Sequence, residues 1–404
     1  MCRVKSGLSR LVAQKGFVND GRGIQVEGKS IGLITNQTGV TQEFEQNYSL
    51  ISRIGGRVTH LFAPEHGLFG LHGEAVPVPD GQLSDRKVPV VSLYDEDELA
   101  PPLEILDDLD LLIYDIQDLG VRCYTYIYSM VKSMKAAAQT GTQFVILDRP
   151  APLSGDKFNG RIIEDSLESF IGGYGLPLVY GATPGEFATY AHSEYDVGDP
   201  PAVVKMQGWR RDLCFDDTDL PWVAPSPSIP TFSSVLAYPA TVFLEATNVS
   251  EGRGTTKPFE LLGASWIQLG ELAEEVQRLC CAAELKGFKL RSCRFRPRFS
   301  KYHGEACSGV ELYVTDREEF RPFEFGMVLT KALHDLYPRE FCWWNSSLER
   351  GGEYFDRLSG SEQFRRLIEE KVSVGELVTR AKAGLTEFEE VISGYFLYDS
   401  GDSS

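Results

Sequence analysis

The first 150 residues alternate between short apolar runs and longer segments in which apolar residues recur with helical spacing. The apolar runs are rich in Val, Ile, Leu and Phe and contain few polar positions, as strands covered on both faces do. We predict strands over residues 30–36, 58–63, 88–93, 109–116 and 143–148, and helices over 43–55 and 124–139. Strands that alternate with helices indicate an α/β fold with a doubly wound, mainly parallel sheet.

The pattern changes between residues 195 and 235, where Pro and Asp become frequent. Proline cannot continue a helix, so we predict extended and turn structure there. Beyond it the spacing predicts a helix over 271–283, strands over 288–296 and 310–314, a helix over 327–337 and further helices towards the end. A chain of 404 residues exceeds the size of one core. We therefore place a parallel-sheet domain at 1–237 and a smaller α/β (α+β) domain at 238–404.

The net charge of −18 argues against a nucleic-acid partner, because binding to a phosphate backbone requires a basic face. We find no apolar run long enough to span a membrane and no apolar core of a secretory signal. The eight cysteines lack CxxC spacing and are typical of reduced thiols. These features predict a cytoplasmic protein, with a removed leader peptide as the alternative, acting on a small substrate.

Polar residues follow four of the predicted strands at the point where each strand ends. Ligands of open parallel sheets bind outside the carboxyl ends of the strands, so we expect these residues to meet at one rim. They lie at 35–36, 64–67, 115–118 and 148–150, and include Asn36 and Arg149.

Glu65 and His66 form the sharpest of these features, on a loop framed by Pro64 and Gly67. A partly desolvated glutamate there could act as a general acid. The alternative is that Glu65 accepts hydrogen bonds from loop amides and His66 caps the strand. His72 and Glu74 follow, but their spacing matches no zinc signature, and we predict no metal.

A second cluster spans residues 115–126 and supplies groups that sugar sites use, with carboxylates and amides for hydroxyls and aromatic faces for the ring. Its members are Asp115, Gln117, Asp118, Arg122, Tyr124 and Tyr126. The alternative reading is structural, with Asp118 as a helix cap and Arg122 paired with Asp115. Cys123 lies among them, but a buried thiol is the more common state of a lone cysteine.

A third cluster spans residues 245–256 and is both polar and rich in glycine. Its candidates are Glu245, Asn248, Ser250, Glu251, Arg253 and Thr255. The glycines on either side of Arg253 indicate a sharp turn or a backbone that approaches a ligand closely. Neither a phosphate-loop pattern nor GxGxxG after the first strand is present, so we predict no nucleotide cofactor. A GxSxG nucleophile elbow is also missing.

Eight segments, taken in order, resemble those of the NamZ-like exo-β-N-acetylmuramidases. They are IGLITNQTG (31–39), FAPEHG (62–67), SLY (92–94), YDIQDLGVRCYTY (114–126), LDRP (147–150), GWR (208–210), PSPSIPT (225–231) and EATNVSEGRGTT (245–256). The similarity runs from about residue 17 to residue 398. Several motifs are long and unusual, so the resemblance is specific.

The resemblance implies an enzyme that releases N-acetylmuramic acid from the non-reducing end of peptidoglycan fragments. It also implies a Rossmann-like N-terminal domain, a smaller C-terminal domain, an active site in the cleft between them, and no cofactor. The family's PEHG glutamate matches Glu65. Its IQD segment matches residues 116–118, and its SEGRGT segment matches residues 250–255.

The chain departs from the family pattern at four positions. Ala151 and Ser228 stand where Asn is usual, Ser154 stands in place of Gly, and Tyr180 replaces His. These changes bear on contacts to the sugar and not on the class of reaction.

We predict Glu65 as the acid of a glycoside hydrolysis, tuned by His66 or Arg122, with a second carboxylate open among Asp115, Asp118, Glu245 and Glu251. A lactyl carboxylate of the substrate would need a cation, which Arg122, Arg149 or Arg253 could supply. The remaining predicted substrate contacts are Asn36, Gln117, Tyr124, Tyr126, Asn248, Ser250 and Thr255.

Two other functions stay open from the sequence. One is a non-catalytic protein that binds sugars or muropeptides, and the other is a metal- or nucleophile-dependent hydrolase. The predicted partner is a small sugar or muropeptide, and the chain is expected to be a monomer or a homodimer.

Overall fold

The computed structural model describes residues 3–73, 76–83, 87–94, 99–345 and 351–401. The strands of the first part of the chain are β1 (Phe17–Asp20), β2 (Arg22–Gln25), β3 (Ser30–Thr35), β4 (Arg57–Ala63), β5 (Gly81–Leu83), β6 (Val88–Ser92), β7 (Leu111–Asp115), β8 (Gln143–Leu147), β9 (Phe158–Asn159), β10 (Val179–Tyr180) and β11 (Ala202–Val204). Its helices are α1 (Gly7–Ala13), α2 (Asn47–Arg53), α3 (Leu103–Leu106), α4 (Tyr126–Thr140) and α5 (Pro184–Tyr195).

Seven of these strands form one sheet in the order β11-β8-β7-β3-β4-β6-β5. Every neighbouring pair is parallel except β5 and β6. All residues of β3 and β7 are buried, because helices cover both faces of the sheet. Leu8 of α1 and Leu50 of α2 pack on one face, whereas Met130 of α4 and Phe187 of α5 belong to the core on the other. The predicted α/β fold with a doubly wound, mainly parallel sheet is confirmed.

The second part contains a smaller antiparallel sheet in the order β12-β14-β13, formed by β12 (Leu261–Ala264), β13 (Phe288–Phe295) and β14 (Cys307–Val314). Its helices are α6 (Phe232–Thr241), α7 (Glu271–Ala282), α8 (Pro322–Leu336), α9 (Glu353–Ser359), α10 (Gln363–Glu369), α11 (Val374–Arg380) and α12 (Leu385–Ser393). Helix α8 is buried from Pro322 to Leu333 and contacts α6, α7, α10 and α11. The border predicted at 237/238 falls within α6 and stays a prediction.

The two parts share one continuous apolar core, which includes Ile34 of the parallel sheet and Ile392 of α12. Short 3₁₀ turns at Asp165–Leu167, Phe215–Asp217 and Val242–Ala246 connect the larger elements. None of the helices among the described residues is both long and apolar enough to cross a bilayer.

The end of the described chain returns to the first sheet. The hydroxyl of Tyr398 donates to Asp148 Oδ2 at 2.6 Å, and the amide of Leu397 donates to Glu186 Oε1 at 2.9 Å. Arg211, which is paired with Glu186 at 2.7 Å, stacks on the ring of Phe396. The chain therefore crosses between its two parts twice, once near α6 and once after α12.

Candidate active site

A cavity of about 1150 Å³, including its open mouth, lies where the two parts of the chain meet. Glu65, Tyr94 and Thr125 reach it from the first part, and Glu245, Glu251, Arg253, Lys301 and Tyr354 reach it from the second. The loops at the ends of the parallel strands and the glycine-rich segment thus face each other across one space.

Glu65 lies just beyond the carboxyl end of β4, in a loop where His66 and Gly67 have positive φ angles of 71° and 78°. This turn directs the Glu65 carboxylate into the cavity with the side chain nearly buried. The hydroxyl of Thr125 donates to Glu65 Oε2 at 2.6 Å. Burial, followed by the neighbouring Glu65 charge, raises the pKa of Tyr94, so this phenol stays protonated beside the carboxylate.

Glu251 lies on the opposite wall and is 2% exposed. Its Oε1 lies 3.1 Å from Arg253 Nη1, and its Oε2 lies 3.0 Å from Lys301 Nζ. Burial alone would raise the pKa of Glu251, but Lys301 and Arg253 outweigh it and lower the pKa to about 2. Glu251 is therefore an ionised, firmly held carboxylate.

Glu245 is the third carboxylate of the cavity. Its Oε1 accepts a hydrogen bond from Arg253 Nη2 at 2.8 Å, and its Oε2 accepts one from the Tyr354 hydroxyl at 2.9 Å. Burial raises the pKa of Glu245 in spite of Arg253. Two carboxylates that share one guanidinium thus have pKa values moved in opposite directions, a pattern that separates acid and base roles in active sites.

The backbone around Arg253 explains why this segment is rich in glycine. Gly252 and Gly254 have φ angles of 84° and 79°. A Cβ at Gly252 would overlap the carbonyl oxygen of Leu261, and one at Gly254 would overlap that of Phe299. The predicted sharp turn is confirmed, and it carries Arg253 between the two glutamates.

Aromatic rings form much of the remaining wall. The ring of Tyr124 packs edge-on against those of Tyr126 and Tyr238, with centroids 4.8 and 6.0 Å apart, respectively. Tyr238 meets Phe259 at 4.7 Å, and the Arg253 guanidinium lies 4.9 Å from the Phe259 centroid. Apolar ring faces beside a few fixed polar groups suit a sugar, which presents C–H faces as well as hydroxyls.

Several predicted substrate contacts instead bind one another beneath the strand ends. Arg149 Nε donates to Asp115 Oδ1 at 2.6 Å, and Asn47 donates to the other oxygen of Asp115 at 2.8 Å. Asn36 accepts hydrogen bonds from the amide and the hydroxyl of Thr38. The side chain of Gln117 donates to the backbone carbonyls of Asp118 and Pro150. None of these predicted contacts is among the cavity-lining residues of the described chain.

Arg122 and Asp118 also lie away from the cavity wall. Arg122 is fully buried, donates to the carbonyls of Arg161, Leu176 and Leu358, and is not among the residues that line the cavity. The carboxylate of Asp118 accepts hydrogen bonds from the Tyr180 hydroxyl at 2.6 Å and the Gly120 amide at 2.7 Å. Burial raises the pKa of Asp118 to about 6. Both hydrogen bonds end on Oδ2, and Asp118 is not among the cavity-lining residues.

The polar side chains at Asn248, Ser250 and Thr255 shape the turn around Arg253. Asn248 pairs with the backbone of Glu340 and Cys342, Ser250 Oγ accepts from the Gly252 amide, and Thr255 Oγ1 donates to the Gly252 carbonyl. Among the second-part candidates, Glu245, Glu251 and Arg253 line the cavity. Of the first-part candidates, Glu65, His66 and Tyr124 do so, while Tyr126 supports Tyr124 and donates to the Pro225 carbonyl.

The sequence patterns missed several polar residues of the cavity, among them Tyr94, Thr125, Lys301 and Tyr354. Lys301 belongs to the loop between β13 and β14 and is buried, with its amine donating to the carbonyls of Leu244 and Val249 as well as to Glu251. Thr125 stood inside the second polar cluster, and Tyr94 inside the SLY motif. Both therefore belong to segments that the sequence singles out, but only the fold brings them beside Glu65.

Only one of the four departures from the family pattern lies on the cavity wall, and that one is Ser228. Ser154 has a φ angle of 83°, which explains why glycine is usual at its position. Tyr180 holds Asp118, and Ala151 packs against Trp209 in a separate apolar cluster. Ser228 is therefore the departure most relevant to sugar contacts.

Among the described residues, the groups that could hold a metal are confined to Cys214, Asp216 and Asp217. Arg317 pairs with Asp216 at 2.5 Å and with Asp217 at 2.7 Å, and the group lies outside the cavity. Glu74, considered with His72 as a ligand, lies outside the described residues.

Carboxylates from both parts of the chain, facing one cavity beside aromatic rings, form the kind of site found in glycoside hydrolases. Sequence models of exo-β-N-acetylmuramidase NamZ match the chain in both regions, the N-terminal model over residues 31–233 and the C-terminal model over residues 236–398. The chain belongs to this family of exo-acting glycosidases.

Individual proteins agree with this assignment. The peptidoglycan β-N-acetylmuramidase NamZ of Bacillus subtilis (strain 168) is 42% identical over 379 residues, which cover 93% of this chain and 88% of the relative. A crystal structure of a DUF1343 family protein from Bacteroides fragilis NCTC 9343 has a TM-score of 0.85 at 31% identity, covering 98% of this chain and 99% of that one. A second from the same organism has a TM-score of 0.73 at 26% identity, with the same coverage.

Proposed function

We propose that this chain is an exo-acting glycoside hydrolase that releases N-acetylmuramic acid from the non-reducing end of peptidoglycan fragments. Family membership supports the reaction, and one geometric observation supports the site. Glu65 from the parallel-sheet part and the pair Glu245 and Glu251 from the second part face the same cavity. A glycosidic bond held between them has a carboxyl group on each side.

In this proposal Glu65 donates a proton to the leaving oxygen as the bond to the sugar breaks. The positive charge that develops on the sugar ring is stabilised by the carboxylates opposite. Glu251 is the permanently ionised one, and Glu245 is the one whose proton affinity is raised. We place Asp115 and Asp118 outside this group because neither lines the cavity.

The cations of the cavity, Arg253 and Lys301, are the candidates for the lactyl carboxylate of muramic acid. Both are already paired, Lys301 with Glu251 and backbone carbonyls and Arg253 with Glu245 and Glu251, so the lactyl carboxylate would compete with these glutamates for either cation. Arg122 and Arg149 are committed elsewhere in the fold.

The deciding experiment measures turnover of a chromogenic N-acetylmuramide by the wild type and by Glu65→Gln. We expect kcat to fall by about 10²–10⁴-fold, the usual contribution of one general acid or base. Glu104→Gln, the same change at an exposed helix position, is the matched control and should leave kcat unchanged. Wild-type turnover in Glu65→Gln would exclude Glu65 from the mechanism.

Comparison of Glu245→Gln with Glu251→Gln identifies the second carboxylate. The anomer first released, followed by NMR, distinguishes retention from inversion. Calorimetric binding of a muropeptide without any released sugar would instead favour the non-catalytic binding function.

We also propose that the enzyme acts in the recycling of cell-wall fragments in the cytoplasm, as a monomer or a homodimer. Cell fractionation followed by immunoblotting tests the location, and light scattering of the purified protein tests the oligomeric state. Recovery in the medium or the envelope fraction would contradict this location.

A further inference from the structure

A second groove, of about 950 Å³, opens beside the cavity. Helix α4 contributes Tyr128, Lys132 and Lys135 to it, and the rings of Phe170, Tyr174 and Tyr195 complete its aromatic wall. None of the catalytic chemistry proposed above uses these residues.

A tight turn at residues 169–172 separates the groove from the cavity. Ser169 and Gly172 exchange backbone hydrogen bonds of 2.7 and 3.1 Å, which hold the turn closed. At its tip, Ile171 lines the cavity while Phe170 lines the groove. The ring of Phe170 lies 5.8 Å from that of Tyr94, which is part of the cavity wall. The two spaces are therefore neighbours that share one wall.

Aromatic rings continue from this shared wall along the groove. Phe170 meets Tyr128 at 6.1 Å, Tyr128 stacks with Tyr174 at 6.2 Å, and Tyr174 meets Tyr195 at 5.3 Å. Tyr174 is held at a φ of 58°, a left-handed conformation that an L-residue adopts only at a cost in free energy. Tyr128 is buried and supports the row from beneath, whereas Phe170, Tyr174 and Tyr195 are partly exposed and can offer ring faces to sugars.

The groove also carries positive charge in a chain whose net charge is −18. Lys132 and Lys135 lie on the exposed side of α4, and neither forms an ion pair within the described part of the chain. Burial, followed by the like charge of Lys135, lowers the pKa of Lys132. The one carboxylate of the groove wall, Glu168, accepts a hydrogen bond from the Tyr174 amide at 2.9 Å.

We propose that this groove binds the leaving-group side of longer substrates, with the aromatic row stacking on the sugars and the two lysines pairing with the carboxylate of a further muramic acid residue. The inference rests on the proposed function, since it extends the same substrate beyond the bond that is cleaved. Charge complementarity and the wall that the groove shares with the cavity support this occupant. The cavity then recognises the terminal sugar, and the groove favours longer substrates that carry a further carboxylate.

The test compares two substrates, the disaccharide MurNAc–GlcNAc and the tetrasaccharide MurNAc–GlcNAc–MurNAc–GlcNAc. The leaving group of the first is neutral, whereas that of the second carries a lactyl carboxylate. We expect Lys132→Gln/Lys135→Gln to lower kcat/KM for the tetrasaccharide by about fivefold, mainly through KM, as two solvated ion pairs would. The disaccharide should be unaffected, and the tetrasaccharide loss should shrink at about 1 M salt.

Lys286→Gln/Lys289→Gln, which removes two exposed lysines from the second part, is the matched charge control and should change neither substrate. Tyr195→Ala should weaken the tetrasaccharide alone, and Tyr195→Phe, which keeps the ring, should not. Equal losses on both substrates, or no loss on the tetrasaccharide, would overturn the proposal. If the wild type cleaves neither substrate, the proposed function fails. Calorimetric binding of the tetrasaccharide to wild type and the double lysine variant then decides the groove separately.

Discussion

Lys301 provides the sharpest test of how the cavity is built, because it was found only in the structure. Replacing it with Met keeps much of the side-chain volume and removes the charge. Its amine now lies 2.7 Å from the Leu244 carbonyl and 3.0 Å from Glu251 Oε2. The substitution leaves Glu251 buried with Arg253 as its remaining cation.

The structure sets the expected magnitude. The pKa of Glu251 falls from 4.5 to about 2, and at about 1.36 kcal/mol per unit the ionised form gains about 3 kcal/mol of stabilisation. This energy needs no reduction for solvent screening, since the side chain is 2% exposed. Removing one partner of such a buried pair costs about 3–5 kcal/mol, so Lys301→Met should lower the melting temperature by about 10 °C.

The assay is a double-mutant cycle of Lys301→Met, Glu251→Gln and the combined variant, followed by thermal and urea unfolding with Trp fluorescence. The indole of Trp344, 5.6 Å from Lys301 Nζ, lies close enough to report on the site. We expect a coupling of about 2–3 kcal/mol, with the combined variant less destabilised than the sum of the single ones. Strict additivity at pH 7 would refute this reasoning.

The pH dependence of the cycle follows from the sign of the shift. A carboxylate whose folded-state pKa is depressed contributes its stability fully above its unfolded pKa, here 4.5, and loses it as the pH falls through the folded value of about 2. The difference between wild type and Glu251→Gln should therefore be constant from pH 7 to 5 and shrink below pH 4.5. A difference that instead grows on acidification would contradict the assigned ion pair.

Three further predictions concern neighbouring residues. The pKa of Asp118 is about 6 in the folded state against 3.8 in the unfolded state, so its contribution to stability is complete below pH 3.8 and is lost as the pH rises through 6. At pH 8, Asp118→Asn should therefore be more stable than the wild type by up to about 3 kcal/mol. A loss of turnover in Asp118→Asn would indicate a catalytic role for Asp118. Thr125→Val should lower kcat/KM about tenfold by removing the hydrogen bond to Glu65, and Thr125→Ser should retain activity. Burial raises the pKa of Cys123 to about 12, so activity should survive iodoacetamide at pH 8, and rapid inactivation at Cys123 would argue otherwise.

Most of the strands could be predicted because a buried strand appears in the sequence as a short run of apolar residues. The strand predicted over 143–148 is observed at Gln143–Leu147, and the strand predicted over 58–63 is observed at Arg57–Ala63. The hairpin of β1 and β2 was missed because each strand has only four residues with little apolar content. Strand β11 was hidden within the proline-rich region.

The site was predicted in part for a related reason. Glu65 and Arg253 lie in motifs that contain glycines, and these glycines indicate a sharply turning backbone with positive φ angles. Arg122 belongs to an equally polar motif, yet its guanidinium satisfies carbonyls as distant in sequence as Leu358. Lys301 is the opposite case, because its surrounding sequence gives no signal. It reaches the site through contacts with Glu251 and Val249, about 50 residues away in sequence. Local composition identifies polar clusters, but only tertiary structure says which members face inwards.

The return of the chain to its first sheet has a consequence for how this molecule can move. A protein whose lobes are joined by a single linker can swing them apart as rigid bodies about that linker. Here the contact of Tyr398 with Asp148 adds a second connection, so such a swing would first have to break partly buried hydrogen bonds. We therefore expect the gap between the two parts of the chain to keep a nearly fixed width. A polymeric substrate then has to enter this gap with one end first.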